Sequence, residues 1–566
     1  MSEGSSSMEA QPSKGGKIYQ SKSDETFEVF QNEKTELTGW NKFKDSFKQA
    51  DPNDLKPAGP MSKRHLRLIS LATGLGTGLL VGSGGKLRTA GPLFLLVAYF
   101  IVGVLMLQPT IFSAGELSVA YPTLPGGFQS YYKKFICPSA AFALGWLYLI
   151  QWASVVSLEL VTASMTIKYW NTSINSDVFV AIFLVVVVAI NLCGARGYAE
   201  AEFVMNTTKL LMLTGFIIFG LVADLGGTKH GFVGGRYWRD PGSYTSFKGL
   251  CTVFCASAFS FGGSEFVALS VADQANPRGA MKSACKLIIL RVIIFFMGSL
   301  LFVGLLVPYT SDQLLGSGGS ATHASPFVIA AETYGSHALS SIVNAVILIS
   351  VTSVATAAMY SSPRLLLSLA EQGMAPKIFT YVDKTGRPLY GWYATIVASF
   401  FCFIATYEKQ ETVFNWLLSI SGICFLFVWP AICYCHVRFR YALKLKGIPL
   451  TELGYVSPTG IWGSYISIII NILMLIAQFW VALFPGSEPD ANSFFQNYLG
   501  GVVLLVLYGG HKLWTRNWRW LIPLEEIDVN QDRALFDSEV MALEREEEKE
   551  RFKKANIFKK FVMLIS

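Results

Sequence analysis

Leu71–Gly85 reads LATGLGTGLLVGSGG. The stretch is apolar enough to enter a bilayer, yet glycine recurs at 74, 76, 78, 82, 84 and 85. A glycine in a helix interior costs roughly 1 kcal/mol against alanine, so a plain membrane anchor has no use for so many. Two readings fit. A helix broken near Gly76–Thr77–Gly78 leaves backbone N–H groups free at the start of its second half, where partial positive charge suits a carboxylate. Such unpaired groups are tolerated in a bilayer only where they line a cavity or meet a ligand. Alternatively, the small residues let two helices pack closely. A second stretch decides between them. Phe259–Phe266, FSFGGSEF, is another apolar segment, interrupted by Gly262–Gly263 and followed by the ionisable Glu265. Two glycine-interrupted segments, one in each half of the hydrophobic region, point to a transporter site near the bilayer midplane.

The whole chain agrees with a membrane setting. Of 566 residues, 52% are hydrophobic and only 15% charged, with a mean hydropathy of +0.42. A soluble domain carries about 25% charge. Apolar runs fall near 68–86, 92–112, 140–167, 178–197, 203–223, 247–270, 284–307, 339–368, 390–406, 414–436, 462–484 and 493–512. The expected fold is therefore an all-α polytopic membrane protein with about twelve transmembrane helices. Residues 1–66 form a polar cytosolic tail, 67–513 the membrane domain and 514–566 a charged cytosolic tail. Disorder is the expectation for the first tail. It has no apolar signal-peptide core, so the first span directs insertion.

Charge sets the orientation. The cluster Lys63-Arg64-His65-Leu66-Arg67 abuts the first span and places the N-terminus in the cytosol. An even number of spans returns the C-terminus there. Loops expected inside carry Lys133, Lys134, Arg196, Arg278, Lys282, Arg438 and Arg440, whereas the outside loop at 308–338 has no Lys or Arg. The outside loop at 225–246 goes against the trend with Lys229, Arg236 and Arg239. The net charge of +7 thus reflects cytosolic loops and not a nucleic-acid partner. Asn171-Thr172-Ser173 is a glycosylation sequon in a short outside loop. The stretch at 552–561, FKKANIFKKF, suits a helix lying on anionic inner-leaflet lipid. Lys14, Lys17, Lys22 and Lys34 are solvated charges unless ubiquitin ligase machinery reads them.

Ionisable residues within spans cost roughly 2.5–3.5 kcal/mol on insertion scales and so suggest function. Lys209 is either an amine facing the core that titrates during transport or a lysine snorkelling to the interface. Glu265, beside the second break, either carries a proton or gates the site, or else satisfies free N–H groups. Glu159 is mid-span, suited to a polar network or to substrate contact. Glu116 lies nearer the inner interface, as a structural group or part of a gate. Ser350, Thr352, Ser353 and Thr356 offer hydroxyls to an ion or ammonium, or simply pack helices. The nine cysteines are scattered without metal or disulfide spacing, and no phosphate-binding loop, metal cluster or nucleophile–His pair is present. Neither an enzyme nor a metal or cofactor is expected.

The segments GTGLLVGSG (76–84), GPLFLLVAY (91–99), GELSVAYP (115–122), GGFQSYY (126–132), FSFGGSEFVALSVADQANPR (259–278) and FNWLLSISG (414–422) carry a specific resemblance. The chain resembles the fungal amino-acid permeases of the amino acid–polyamine–organocation superfamily, over about 60–560. The resemblance implies a LeuT-like fold: a 5+5 inverted repeat with broken helices 1 and 6, and two further helices. It implies that Gly76, Thr77 and Gly78 hold the substrate carboxylate. Phe261, Gly262 and Gly263, with Ser264 beside them, would face its amino group, and Phe259 would stand above it as an aromatic gate. Lys209 resembles the fifth-helix lysine that stands in for the sodium of sodium-coupled relatives. The FSFGGSEF and TELG…GIWGS (451–464) segments resemble the broad neutral branch, whose substrates are branched-chain, aromatic or amide amino acids. Two features depart from the pattern. The chain ends Phe-Val-Met-Leu-Ile-Ser where many members end Phe-Trp-Cys, which removes lipidation at that point, and Pro277-Arg278 is not followed by a second basic residue.

The function these observations imply is proton-coupled import of neutral L-amino acids across the plasma membrane. The partners expected are the amino acid, the proton and membrane lipid. A nutrient-sensing receptor and a polyamine or organic-cation carrier are the alternatives.

Overall fold

The computed structural model describes residues 10–13, 16–19, 45–50, 63–122, 124, 127–170, 173–272, 277–314, 325–406, 410–534 and 550. The chain divides into two units, 1–49 and 50–566. In the first, Ala10–Ser13 (β1) and Gly16–Tyr19 (β2) pair as an antiparallel hairpin within the stretch expected to be an unstructured tail. The candidate ubiquitin sites Lys14, Lys22 and Lys34, the side chain of Lys17, Asn171 and Thr172 of the sequon and the 552–561 segment lie outside the described residues.

The second unit is helical. Its helices are α1 (Lys63–Ala72), α2 (Thr77–Leu80), α3 (Gly82–Ala90), α4 (Pro92–Ala120), α5 (Phe128–Phe135), α6 (Pro138–Ile167), α7 (Ser176–Leu192), α8 (Gly194–Asp224), α9 (Phe247–Phe261), α10 (Phe266–Ala272), α11 (Pro277–Leu306), α12 (Pro326–Tyr334), α13 (His337–Glu371), α14 (Leu389–Ser399), α15 (Gln410–Leu445), α16 (Gly460–Leu483) and α17 (Ala491–Thr515). Among the described residues eight apolar helices are long enough to cross a membrane; α9 does so only together with α10. The shortfall against twelve runs has local causes. Ser70–Leu80 is interrupted, α7 has 17 residues, α14 tightens into a 3₁₀ turn from Phe400, and α17 has length but less apolar character.

Chain chemistry sets the boundaries. Pro92 and Pro138 occupy the first helical turn, where the missing N–H costs nothing. Ser246 caps α9 by accepting from Gly249 N–H at 3.1 Å, and Ser336 caps α13 by accepting from Leu339 N–H at 3.2 Å. Polarity is inverted relative to a soluble protein. On α8, Leu211 and Ile218 are exposed at 69% and 60%, while Glu202, Asn206 and Lys209 are buried. The apolar face is turned outward to lipid and the polar face inward.

At the centre α6 and α13 pack along their lengths, with α15 against α6 and α8 against α13. Around them lie the two interruptions. The first is Thr73–Gly76, between α1 and α2. Gly74 has φ +82°, a conformation that glycine adopts without strain, and Gly76 is the extended N-cap of α2. The break thus begins a few residues before Gly76–Gly78, and Thr77 and Gly78 open the second half-helix. The second is Gly262–Glu265, between α9 and α10, with Gly263 at φ +82°.

The chain beyond α17 doubles back over one end of this bundle. Tyr121 Oη donates to the Val529 carbonyl at 2.8 Å, Lys134 Nζ to Gln531 at 2.7 Å and Lys446 Nζ to Ile527 at 2.5 Å. Backbone bonds join Ile522 N–H to Ile136 and Ala534 N–H to Ala120, and Ile527 and Val529 are fully buried. Desolvation pushes the Lys134 ammonium below the usual lysine range.

Candidate functional site

The two interruptions meet each other. A Cβ placed on Gly74 would lie 2.6 Å from the Ser260 carbonyl oxygen, and one on Gly78 would lie 2.9 Å from Ser260 Cα and 3.0 Å from the Phe259 ring. Tyr99 Oη fastens the pair, donating to the Gly78 carbonyl at 3.1 Å and lying 2.9 Å from Ser260 Oγ. Across the contact, Ser350 Oγ donates to the Leu75 carbonyl at 2.8 Å. Of the expected substrate groups, Gly76–Gly78 and Phe259–Ser264 are therefore brought together. Not all point the same way. The Phe261 ring is fully buried against Phe296, 4.4 Å between centroids, and against Tyr99.

Backbone accounting separates the engaged groups from those left over. The Phe261 carbonyl accepts from Ser264 Oγ at 2.5 Å, and the Gly263 carbonyl from Phe266 N–H at 3.2 Å. Among the described residues no donor reaches the Gly262 carbonyl. Thr77 and Gly78 open a half-helix, and the first N–H groups of a helix have no intrahelical acceptor. None is supplied from elsewhere among the described residues. Thr77 Oγ1 donates to Glu159 Oε2, and the other carboxyl oxygen of this fully buried glutamate has no hydrogen-bond partner. N–H donors on one break and a carbonyl on the other thus remain unsatisfied, on two breaks that adjoin through Gly74, Gly78 and Ser260. Buried polar groups are nearly always paired, so unsatisfied groups of this kind are ones that a ligand would complete.

Lys209 does not snorkel. It is buried on α8 and donates to Ser353 Oγ at 2.8 Å. Ser353 Oγ also lies 3.0 Å from both carboxyl oxygens of Glu202, which accepts from Asn206 Nδ2 at 3.0 Å. The charges of both Glu202 and Glu159 act on the ammonium. Glu202 was not among the sequence candidates, although residues 202, 206 and 209 recur at helical spacing on one face. Of the other α13 hydroxyls named from the sequence, Ser350 reaches Leu75, whereas Thr352 donates to Leu348 and Thr356 to Thr352, each at 2.8 Å.

Glu265 accepts from Tyr148 Oη and, at 3.4 Å, from Trp429 Nε1. Glu116 lies in a separate cluster. Arg440 Nη2 donates to it at 2.6 Å and Ser457 N–H at 2.6 Å, and His436 Nε2 is 3.2 Å away. It ties α4 to α15 and to the loop before α16, away from the two breaks. Arg291 also escaped the sequence reading, as one charge in an otherwise apolar run.

Comparison with known proteins is consistent over nearly the whole chain. The Amino acid permease family profile matches residues 65–523. General amino acid permease AGP1 of Saccharomyces cerevisiae is 48% identical over 508 residues, covering 88% of this chain and 80% of that protein. The high-affinity glutamine permease of the same yeast is 47% identical, covering 88% and 76%. Its valine amino-acid permease is 45% identical, covering 89% and 85%. These matched proteins are transporters and not enzymes. With a helical bundle built around two facing backbone breaks and a match that spans that bundle, the chain belongs to the amino acid permease family.

Proposed function

We propose that this permease imports neutral L-amino acids across the plasma membrane together with a proton, through twelve spans of which the first and sixth are the broken ones. The observation that carries the reading is the set of unsatisfied backbone groups on the two adjoining breaks: N–H donors at Thr77 and Gly78 on one, and on the other the Gly262 carbonyl, whose oxygen lies 3.6 Å from a Cβ built on Gly74. Donors at a half-helix N-terminus suit a carboxylate, and a carbonyl suits an ammonium. An amino acid presents both. The charged side chains at the breaks are engaged by the protein itself, Arg291 with Thr73 and Ser264 and Glu265 with Tyr148 and Trp429, which fits a neutral substrate. Glutamine and valine appear in the names of two relatives.

Lys209, Ser353 and Glu202 form the proton relay of the proposal, joined to the substrate site through Glu159 and Thr77. The energetics suffice. One charge crossing ~100 mV supplies ~2.3 kcal/mol, and one pH unit adds ~1.4 kcal/mol. A hundredfold amino-acid gradient needs about 2.7 kcal/mol.

The test is uptake of a labelled amino-acid panel by cells stripped of their own permeases, at acid and neutral pH, with and without an uncoupler. Uptake of leucine, tyrosine or glutamine that collapses with the uncoupler is expected, and Lys209→Met should abolish the pH dependence. No uptake of any amino acid by protein present at the surface would overturn the proposal.

A further inference from the structure

Arg291 is fully buried midway along α11, at the first residue of its π-helical segment. A charge in that position is expensive and needs a reason. Its hydrogen bonds give one. Nη1 donates to the carbonyls of Thr73 and Ser70, the latter at 3.3 Å, where α1 ends. Nη2 donates to Ser264 Oγ at 2.5 Å, inside the second break, and Glu265 attracts the guanidinium from beside it. The last carbonyls of a helix lack intrahelical donors and carry partial negative charge, so a cation there replaces what the interruption removed. Ser264 Oγ in turn donates to the Phe261 carbonyl at 2.5 Å. One run of hydrogen bonds therefore leads from the end of α1, through Arg291 and Ser264, to the end of α9. It spans both interruptions.

We propose that Arg291 is a positioning residue that fixes the distance between the two broken backbones and thereby selects for α-amino acids over longer-backbone analogues. The inference rests on the amino-acid site proposed above. An α-amino acid carries carboxylate and ammonium on one carbon, whereas a β-amino acid separates them by one more. A rigid gap between the Thr77–Gly78 donors and the Gly262 carbonyl discriminates between the two; a slack gap does not. The planar guanidinium reaches both breaks at once, and the point charge of lysine cannot hold the same fork.

Two variants test it in cells lacking their own permeases. Arg291→Lys keeps the charge and loses the fork, and Ser264→Ala removes one arm only. The readings are KM and Vmax for alanine, normalised to surface protein, and the alanine to β-alanine uptake ratio. Each variant should raise KM for alanine about tenfold with Vmax per surface molecule within about twofold, and should lower the ratio by a similar factor. The double variant should be no worse than Arg291→Lys alone, because both changes break the same link. Unchanged KM and ratio in the variants, or effects that multiply in the double variant, would overturn the inference. Should Arg291→Lys not reach the surface, KM and ratio in Ser264→Ala decide by the same criteria. Wild-type protein that takes up no amino acid would instead bring down the site on which the inference rests, so the two failures are distinguishable.

Discussion

Gly78→Ala is the sharpest probe of whether the two breaks form one site. The added methyl would collide with Ser260 Oγ, which can rotate, and would lie 2.9 Å from Ser260 Cα, which cannot. Restoring ordinary contact at 3.4 Å moves the backbones apart by about 0.5 Å. Overpacking of this kind costs about 1–3 kcal/mol, and alanine's better helix propensity returns at most about 1 kcal/mol. Taking the middle of that range, about 2 kcal/mol, less the return leaves about 1–2 kcal/mol on the spacing of the two breaks, equivalent to about a five- to thirtyfold rise in KM. The natural control is Gly82→Ala, whose methyl would sit 3.5 Å from the Thr77 carbonyl and 3.6 Å from Leu418, both ordinary contacts. Concentration-dependent uptake of labelled leucine, with surface protein quantified in parallel, reads both. Gly82→Ala should match wild type. If Gly78→Ala also matches wild type in KM, the breaks do not jointly bind the substrate and the site is misassigned.

Three further outcomes follow from named contacts. Arg440→Ala leaves the buried Glu116 carboxylate without its guanidinium, a loss of about 3–5 kcal/mol; thermal melting in detergent should show it, with the Glu116→Gln/Arg440→Ala pair recovering part of the loss. Thr77→Val removes the donor to Glu159 while keeping volume and should cost about 1–3 kcal/mol in stability, again read by melting, alongside reduced uptake. In the segment after α17, hydrogen bonds from the Gln531 and then the Asn530 N–H groups hold the Asp528 carboxyl below its ordinary value. A depressed folded value means the contribution is complete above the unfolded value and is lost only as pH falls through the folded one. Tryptic cleavage after Arg533 should therefore not accelerate on lowering the pH from 8 to 6, whereas Asp528→Ala and Lys446→Ala should accelerate it at both.

Much of the design was legible in the residues. Glycines at 74 and 263 stand where the backbone turns left-handed, and their density within apolar runs announced the interruptions. Where the first break begins was less legible, because glycine at 74, 76 and 78 permits several registers and only packing against Ser260 selects one. Glu202 was hidden by its neighbours: AEAEF reads as an interfacial helix start, and only the inward turn of residues 202, 206 and 209 shows a buried polar cluster. Arg291 was hidden differently. A single arginine in an apolar run reveals its purpose only when its three acceptors, 221, 218 and 27 residues away in sequence, stand beside it. Long-range pairing of this kind leaves no local periodicity to read.

The doubled-back segment bears on how deletion series of this permease are to be read. Cytosolic tails of transporters are commonly treated as detachable carriers of sorting signals, to be shortened until trafficking fails. Here a stop codon placed after Leu521 would remove Ile527 and Val529 from the packed interior and strip Tyr121, Lys134 and Lys446 of their acceptors together. The resulting retention inside the cell would report a misassembled bundle and not a missing address. Stops placed after Ala534 keep these fastenings, so a deletion series starting there leaves the acceptors of Tyr121, Lys134 and Lys446 in place.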